Sequence, residues 1–60
     1  MVKLRQLDWF EIIQQGDLLM VAGDKIMYPA RFYDGWSVDM AFEFVKNNGE
    51  TAIFYRQVDQ

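Results

Sequence analysis

The stretch RFYDGWSVDMAFEF, Arg31 to Phe44, sets an Asp-Gly turn signal between two runs rich in aromatic residues. Apolar and polar residues alternate on both sides of the turn, which is typical of a β-hairpin. The length of the loop decides which residues share a face, because a shift of one residue turns every side chain of a strand to the opposite face. This stretch therefore decides both the predicted fold and the composition of the core.

A three-residue loop, Tyr33 to Gly35, is the better of two alternatives for this hairpin. It combines a type I turn with Gly35 in the left-handed region of the backbone. The resulting register gives one face that is apolar throughout and another that pairs opposite charges, whereas a two-residue loop places Arg31 among apolar side chains. The favoured register predicts four aromatic core residues: Phe32, Trp36, Phe42 and Phe44.

The segments on either side extend this hairpin into a sheet. Runs with a period of two are separated by the turn sequences AGDK, YDGW and KNNGE. They predict a four-stranded antiparallel meander with strands at residues 18–22, 25–33, 36–46 and 51–58. Pro29 indicates a bulge or an unpaired position in the second strand. A weak alternation over residues 2–5 is compatible with a further edge strand.

The register of the last hairpin has two alternatives. A two-residue loop, Asn48-Gly49, places Ile53 and Tyr55 in the core. A three-residue loop instead buries Phe54 and draws Arg56 in with it. We favour the first alternative, because an unpaired buried guanidinium is costly.

Local signals upstream of the sheet predict a short helix over residues 8–15. Asp8 and Glu11 have the spacing of a capping box, and Gly16 is placed to end the helix in a left-handed conformation. Apolar side chains between them recur at helical spacing. A helix this short is unstable alone, so its apolar face is expected to dock on the sheet.

The sequence therefore predicts a single α+β domain, mainly β, over residues 1–60. At the level of fold, the meander resembles SH3-like small barrels. Closure into such a barrel would bury side chains on both faces of the sheet. A domain of this size buries only about 60% of the surface of its unfolded chain, which predicts modest stability.

Composition argues against enzymatic and metal-dependent functions. The chain has no cysteine and no histidine, which removes disulfides and the usual ligands of zinc, copper and haem. Ser37 and Thr51 have no histidine to activate them as nucleophiles. The nine carboxylates lack the spacing of a calcium-binding loop. We therefore predict no metal, no cofactor, no catalytic residue and no enzymatic activity.

Charge and hydropathy disfavour two kinds of partner. The net charge is −3, and the six basic residues are scattered, whereas nucleic-acid binding normally needs a stripe of them. No apolar run reaches the roughly 20 residues of a membrane helix, and the first residues do not resemble a signal peptide. With the absence of cysteine, these features predict a cytoplasmic protein.

The predicted outer face of the sheet retains large apolar side chains beside carboxylates, a combination typical of a protein-binding surface. The alternative is that barrel closure or a second subunit covers this face. Ala41 and Val45 are expected there, and the candidate partner-binding residues are Met27, Tyr33, Asp34, Asp39, Glu43 and Phe54.

These features favour a non-enzymatic acidic protein that binds another protein. Size and charge suit an inhibitor or adaptor made by a phage or other mobile element, acting in the host cytoplasm on a nucleic-acid enzyme, with carboxylates in place of phosphates. One alternative is a structural subunit that forms a homo-oligomer. The other is a nucleic-acid-binding barrel that stacks bases on aromatic rings and holds phosphates with cations. Its residues would be Tyr33, Trp36, Phe54, Arg31, Lys46 and Arg56.

Overall fold

The computed structural model describes the backbone of residues 2–59 and the side chains of residues 3–58, and within them it shows one four-stranded antiparallel sheet and one α-helix. The helix, α1, follows the third strand in the chain and a 3-10 turn at Arg31–Tyr33. The bounds are β1 Val2–Gln6, β2 Leu18–Val21, β3 Met27–Pro29, α1 Val38–Asn47 and β4 Ala52–Asp59.

β4 lies inside the sheet, between β1 and β2. The strand order is β1-β4-β2-β3, so the first and last strands of the chain are neighbours. Arg5 of β1 pairs with Arg56, and Leu19 of β2 pairs with Phe54. The predicted α+β class and the antiparallel sheet are confirmed. The predicted meander order is wrong, because α1 carries the chain back so that β4 inserts between β1 and β2. The sheet is also not closed into the small barrel that the meander resembles.

Most of the segment predicted as the third strand, residues 36–46, lies in α1 instead. Ser37 caps the helix, because its hydroxyl oxygen accepts a hydrogen bond from the Met40 amide at 3.2 Å. Helical spacing then turns a different set of side chains inward than a strand would. Ala41 and Val45, predicted on the outer face, are therefore core residues. The buried residues of α1 are Val38, Ala41 and Val45.

Residues 8–15 do not form the predicted N-terminal helix. The capping-box contacts exist for one turn only: the Asp8 amide donates to a Glu11 carboxylate oxygen at 2.8 Å, and the Glu11 amide donates to the Asp8 carbonyl at 3.0 Å. Beyond this turn, the Ile13 amide donates to the Trp36 carbonyl at 2.8 Å. Pairing with the chain that leads into α1 thus takes the place of helical hydrogen bonds.

The other strands lie close to the predicted runs, with one exception. β1, β2 and β4 begin and end within one residue of the runs at 2–5, 18–22 and 51–58. The run at 25–33 shortens to β3, which ends at Pro29 on the edge of the sheet, where a missing N–H breaks no ladder. Gly35 has a positive φ of +87°, but it joins the 3-10 turn to α1 rather than two strands.

The core lies between α1 and one face of the sheet. Phe54 and Ile13 are the largest fully buried side chains among those described, each 1% exposed. The last predicted hairpin does not form, because α1 precedes β4, and the expected burial of Ile53 and Tyr55 is wrong. Phe54 faces the core, and Arg56, two residues on, shares its face. Burial of this face is tolerated because Asp17 supplies a counter-charge to Arg56. The remaining core residues are Leu7, Ala30, Val38, Ala41, Val45 and Ala52.

Candidate functional site

Four aromatic rings meet where the 3-10 turn packs against α1. In every pair of these rings, the centroids lie between 5.1 and 6.1 Å apart. Such spacing, with mostly edge-to-face or tilted rings, is favourable for aromatic side chains. We call this group the aromatic cluster, and its members are Phe32, Tyr33, Trp36 and Phe44.

The aromatic cluster extends from the core to the solvent. The Tyr33 ring lies 5.8 Å from the ring of buried Phe54, and both Tyr33 and Trp36 are half-buried against the core. At the other end, Phe32 is 70% exposed and Phe44 is 42% exposed. The inner rings therefore support the outer two, which present apolar surface to the solvent.

α1 extends this apolar surface by one helical turn. Met40 is 60% exposed and lies four residues before Phe44, so the two side chains are neighbours on the helix surface. Asp39 and Glu43, also four residues apart, lie on another side of α1 and are exposed. An apolar surface is thus carried by the same helix as two carboxylates.

Backbone hydrogen bonds hold the segment that carries the cluster. The Gly35 amide donates to the Ile13 carbonyl at 2.9 Å, and the Trp36 amide donates to the Tyr33 carbonyl at 2.9 Å. The Val38 amide donates to the Glu11 carbonyl at 2.8 Å. These bonds order the backbone of the segment that carries the aromatic cluster.

Ion pairs fasten the loop between β1 and β2 beneath this segment. Arg56 donates to both carboxylate oxygens of Asp17 at 2.9 Å and to the Ile12 carbonyl at 3.0 Å. Arg5 donates to both carboxylate oxygens of Glu11, at 2.8 and 3.0 Å. These groups hold the loop between β1 and β2 against the sheet.

The two carboxylates of this network ionise more readily than usual. Hydrogen bonds from the Arg5 guanidinium and the Asp8 amide lower the pKa of Glu11 to about 2. Burial opposes ionisation of Asp17, but hydrogen bonds from Arg56 and the Gln14 amide outweigh it, so the pKa of this carboxyl lies below its usual value. Both groups are therefore charged at neutral pH.

The six residues predicted to bind a partner do not form one surface. Phe54 is buried, which removes it from any outer surface, and Tyr33 is half-buried within the aromatic cluster. Asp34, Asp39 and Glu43 are exposed, and Met27 is half-buried in β3. The role of these exposed residues in binding stays a prediction.

The exposed members of the cluster were assigned to the core by the sequence pattern. Phe32 and Phe44 are exposed rather than buried, because Val38–Asn47 is helical and the hairpin that would have buried them does not form. Trp36 and Phe42 are half-buried. The sequence did contain a signal for this arrangement. Met40 and Phe44 are four residues apart and follow Ser37, a typical N-cap residue, so a helix would place them on the same side.

No family model matches the chain, and no curated protein or solved structure matches it. Over residues 2–59, no helix has the length and apolar character needed to cross a membrane. Within the same part of the chain, no three histidine, cysteine or carboxylate side chains converge where they could hold a metal ion. Function is therefore inferred from the geometry of this chain alone.

Proposed function

We propose that this chain is a non-enzymatic binding protein that docks onto another protein through the exposed end of the aromatic cluster and Met40. The observation that carries this proposal is the contact between two exposed rings: Phe32 and Phe44 are 70% and 42% exposed, and their centroids are 6.0 Å apart. Contiguous exposed apolar surface of this kind marks interaction sites, and aromatic residues often supply much of the binding energy.

Charge favours a basic partner. Within residues 31–46, three carboxylates outnumber the two cations, Arg31 and Lys46, and the whole chain has a net charge of −3. Such a surface attracts a partner of opposite charge during encounter, while the apolar rings hold it after docking. The nucleic-acid-binding groove of a host enzyme has this charge, and inhibition or recruitment of such an enzyme is the specific form of the proposal.

A nucleic-acid-binding role has less support. Phe54, one of the rings expected to stack on bases, is 1% exposed. Arg56, expected to contact phosphates, already donates to Asp17 and to the Ile12 carbonyl. Phosphate binding by Arg56 would have to break its ion pair with the buried carboxylate of Asp17, which costs free energy.

The test compares capture of partners by three forms of the immobilised protein, in extracts of cells that make this chain. The variant Phe32→Ser/Phe44→Ser removes both exposed rings. The matched control is Ile26→Ser, because Ile26 is 58% exposed and lies in the connection between β2 and β3.

We expect a protein that the unchanged chain and the control capture equally, and that the double variant captures at least about tenfold less, which corresponds to about 1.4 kcal/mol of binding free energy. Treatment of the extract with nuclease should leave this capture unchanged. Capture that is equal for all three forms, or that disappears with nuclease, would contradict the proposal.

A further inference from the structure

The face of the sheet turned away from α1 is apolar. Phe54 of β4 pairs with Leu19 of β2, and both pack in the core beneath α1. Because side chains alternate along a strand, the residues next to them point to the opposite side of the sheet. These residues are Leu18 and Met20 of β2 with Ile53 and Tyr55 of β4.

Strand pairing adds residues from both edge strands to this side. Residues directly opposite in neighbouring strands share a face. Met27 pairs with Met20 and Pro29 with Leu18, while Gln6 pairs with Tyr55 and Leu4 with Gln57. We call this surface the open face, and its described side chains are Leu4, Gln6, Leu18, Met20, Met27, Pro29, Ile53, Tyr55 and Gln57.

The open face carries no charged group among the side chains that the structure describes, and the core does not reach it. Among the partly buried strand residues, Leu19 packs against the core, whereas Leu18, Met20, Ile53 and Tyr55 are half-buried without packing against it. Leu4 is 46% exposed. An apolar sheet face normally packs against a second layer of helices or strands. Among the described residues, no such layer packs on the open face.

We infer that a second copy of this chain covers the open face, so that two sheets pack face to face about a two-fold axis. In such a dimer the same surface meets itself, and every charge on it meets a like charge. Each copy has a net charge of −3, and the side of α1 with Asp39 and Glu43 would repel its own copy. The described side chains of the open face avoid this repulsion, because they are apolar except for Gln6 and Gln57 and none of them is charged.

The size of the open face sets the strength of the dimer. Four strands spaced about 4.8 Å apart, with a mean length of five residues or about 17 Å, give a footprint of roughly 300 Å² per copy. The two copies together then bury on the order of 600 to 900 Å², which lies below the standard size of a stable interface. The dimer is therefore reversible, with a dissociation constant in the micromolar range, and Met20 and Met27 can adjust to fill gaps between the sheets.

Sedimentation velocity of the full chain tests this inference at concentrations from about 1 μM to about 500 μM, which bracket that range of dissociation constants. We expect the weight-average sedimentation coefficient to rise from the monomer value toward that of a dimer. A coefficient that stays at the monomer value throughout would overturn the inference. This test is independent of the aromatic cluster, so it can fail while the proposed function stands.

Charge substitutions identify the surface responsible. Ile53→Lys puts two cations into the interface and should weaken the dimer at least about tenfold, whereas Phe32→Lys, the same change of charge in the aromatic cluster, should leave it unchanged. Leu4→Lys on edge strand β1 replaces Ile53→Lys if circular dichroism shows the latter to be unfolded, and it should weaken the dimer several-fold. Weakening by Phe32→Lys without weakening by a folded open-face variant would place the contact elsewhere and overturn the inference.

Discussion

Arg56 and Asp17, 39 residues apart in the sequence, form a two-pronged ion pair in which Nε and Nη2 of the guanidinium donate to different carboxylate oxygens, each at 2.9 Å. Asp17 immediately precedes β2, and Arg56 lies in β4. The same carboxylate accepts a hydrogen bond from the Gln14 amide at 2.8 Å. A buried carboxylate with these partners is stable, and it ties the loop between β1 and β2 to the middle of the sheet.

We expect Arg56→Met to lower the free energy of unfolding by about 3 kcal/mol, because it leaves the Asp17 carboxylate buried without its counter-charge. Urea unfolding followed by tryptophan fluorescence measures the loss. The control is Arg5→Met, which breaks the pair with Glu11 where the arginine side chain is 43% exposed. Arg5→Met should lower the free energy of unfolding much less than Arg56→Met does. Equal losses in the two variants would contradict the structural role assigned to Arg56.

Acid should unfold the protein over a defined range of pH. Folding lowers the pKa of Glu11 to about 2 and also lowers the pKa of Asp17. Each carboxylate therefore stabilises the fold above the usual carboxyl pKa of about 4, and that contribution is lost as the pH falls through the folded pKa. We expect a level free energy of unfolding between about pH 7 and pH 5 and a decline from about pH 4 toward pH 2.

Urea titrations at a series of pH values check this dependence. In the variant Glu11→Gln, one of the two groups with a lowered pKa is missing, so the decline below about pH 4 should be shallower than in the unchanged chain. Declines of the same slope in both proteins would show that Glu11 does not contribute as the structure indicates.

The segment from Ser37 to Val45 shows why the sequence predicted a strand where the helix forms. Apolar residues at 38, 40, 42 and 44 alternate as in a strand, while those at 38, 41 and 45 recur as in a helix. Periodicity alone cannot separate these patterns. The Ser37 cap and the carboxylate of Asp39 in the first turn favour the helix, and these local signals could have separated them.

The strand order and the exposure of the aromatic residues depend on contacts between distant parts of the chain. Arg56 can pair with Asp17 only because β4 lies beside β2 in the sheet. The sequence pattern does not reveal this neighbourhood, so it suggested that a buried Arg56 would be unpaired. Phe32 and Phe54 are the same residue type, yet they are 70% and 1% exposed. Only tertiary packing distinguishes them, which is why the sequence pattern placed Phe32 in the core and Phe54 on the outer face.

Substitutions at Gly35 test the effect of backbone conformation on stability. The φ of Gly35 is +87°, and an added Cβ atom would meet no atom within 4 Å beyond the two flanking residues, so the main cost of substitution comes from the backbone. We expect Gly35→Val to lower the free energy of unfolding by about 1 to 2 kcal/mol, and Gly35→Asn to cost less because asparagine tolerates a positive φ. Thermal unfolding measures both, and a valine variant as stable as the asparagine variant would contradict this explanation.

The neighbours Tyr33 and Phe32 should separate stability from binding. Tyr33 packs on buried Phe54, so Tyr33→Ser should lower the free energy of unfolding by about 2 kcal/mol. Phe32 is 70% exposed, so Phe32→Ser should change that free energy by no more than about 0.5 kcal/mol while weakening capture of a partner. Urea unfolding and the capture experiment measure the two effects on the same proteins. If Phe32→Ser unfolds the chain, or if Tyr33→Ser is neutral, the division of the aromatic cluster into an inner support and an outer binding surface is wrong.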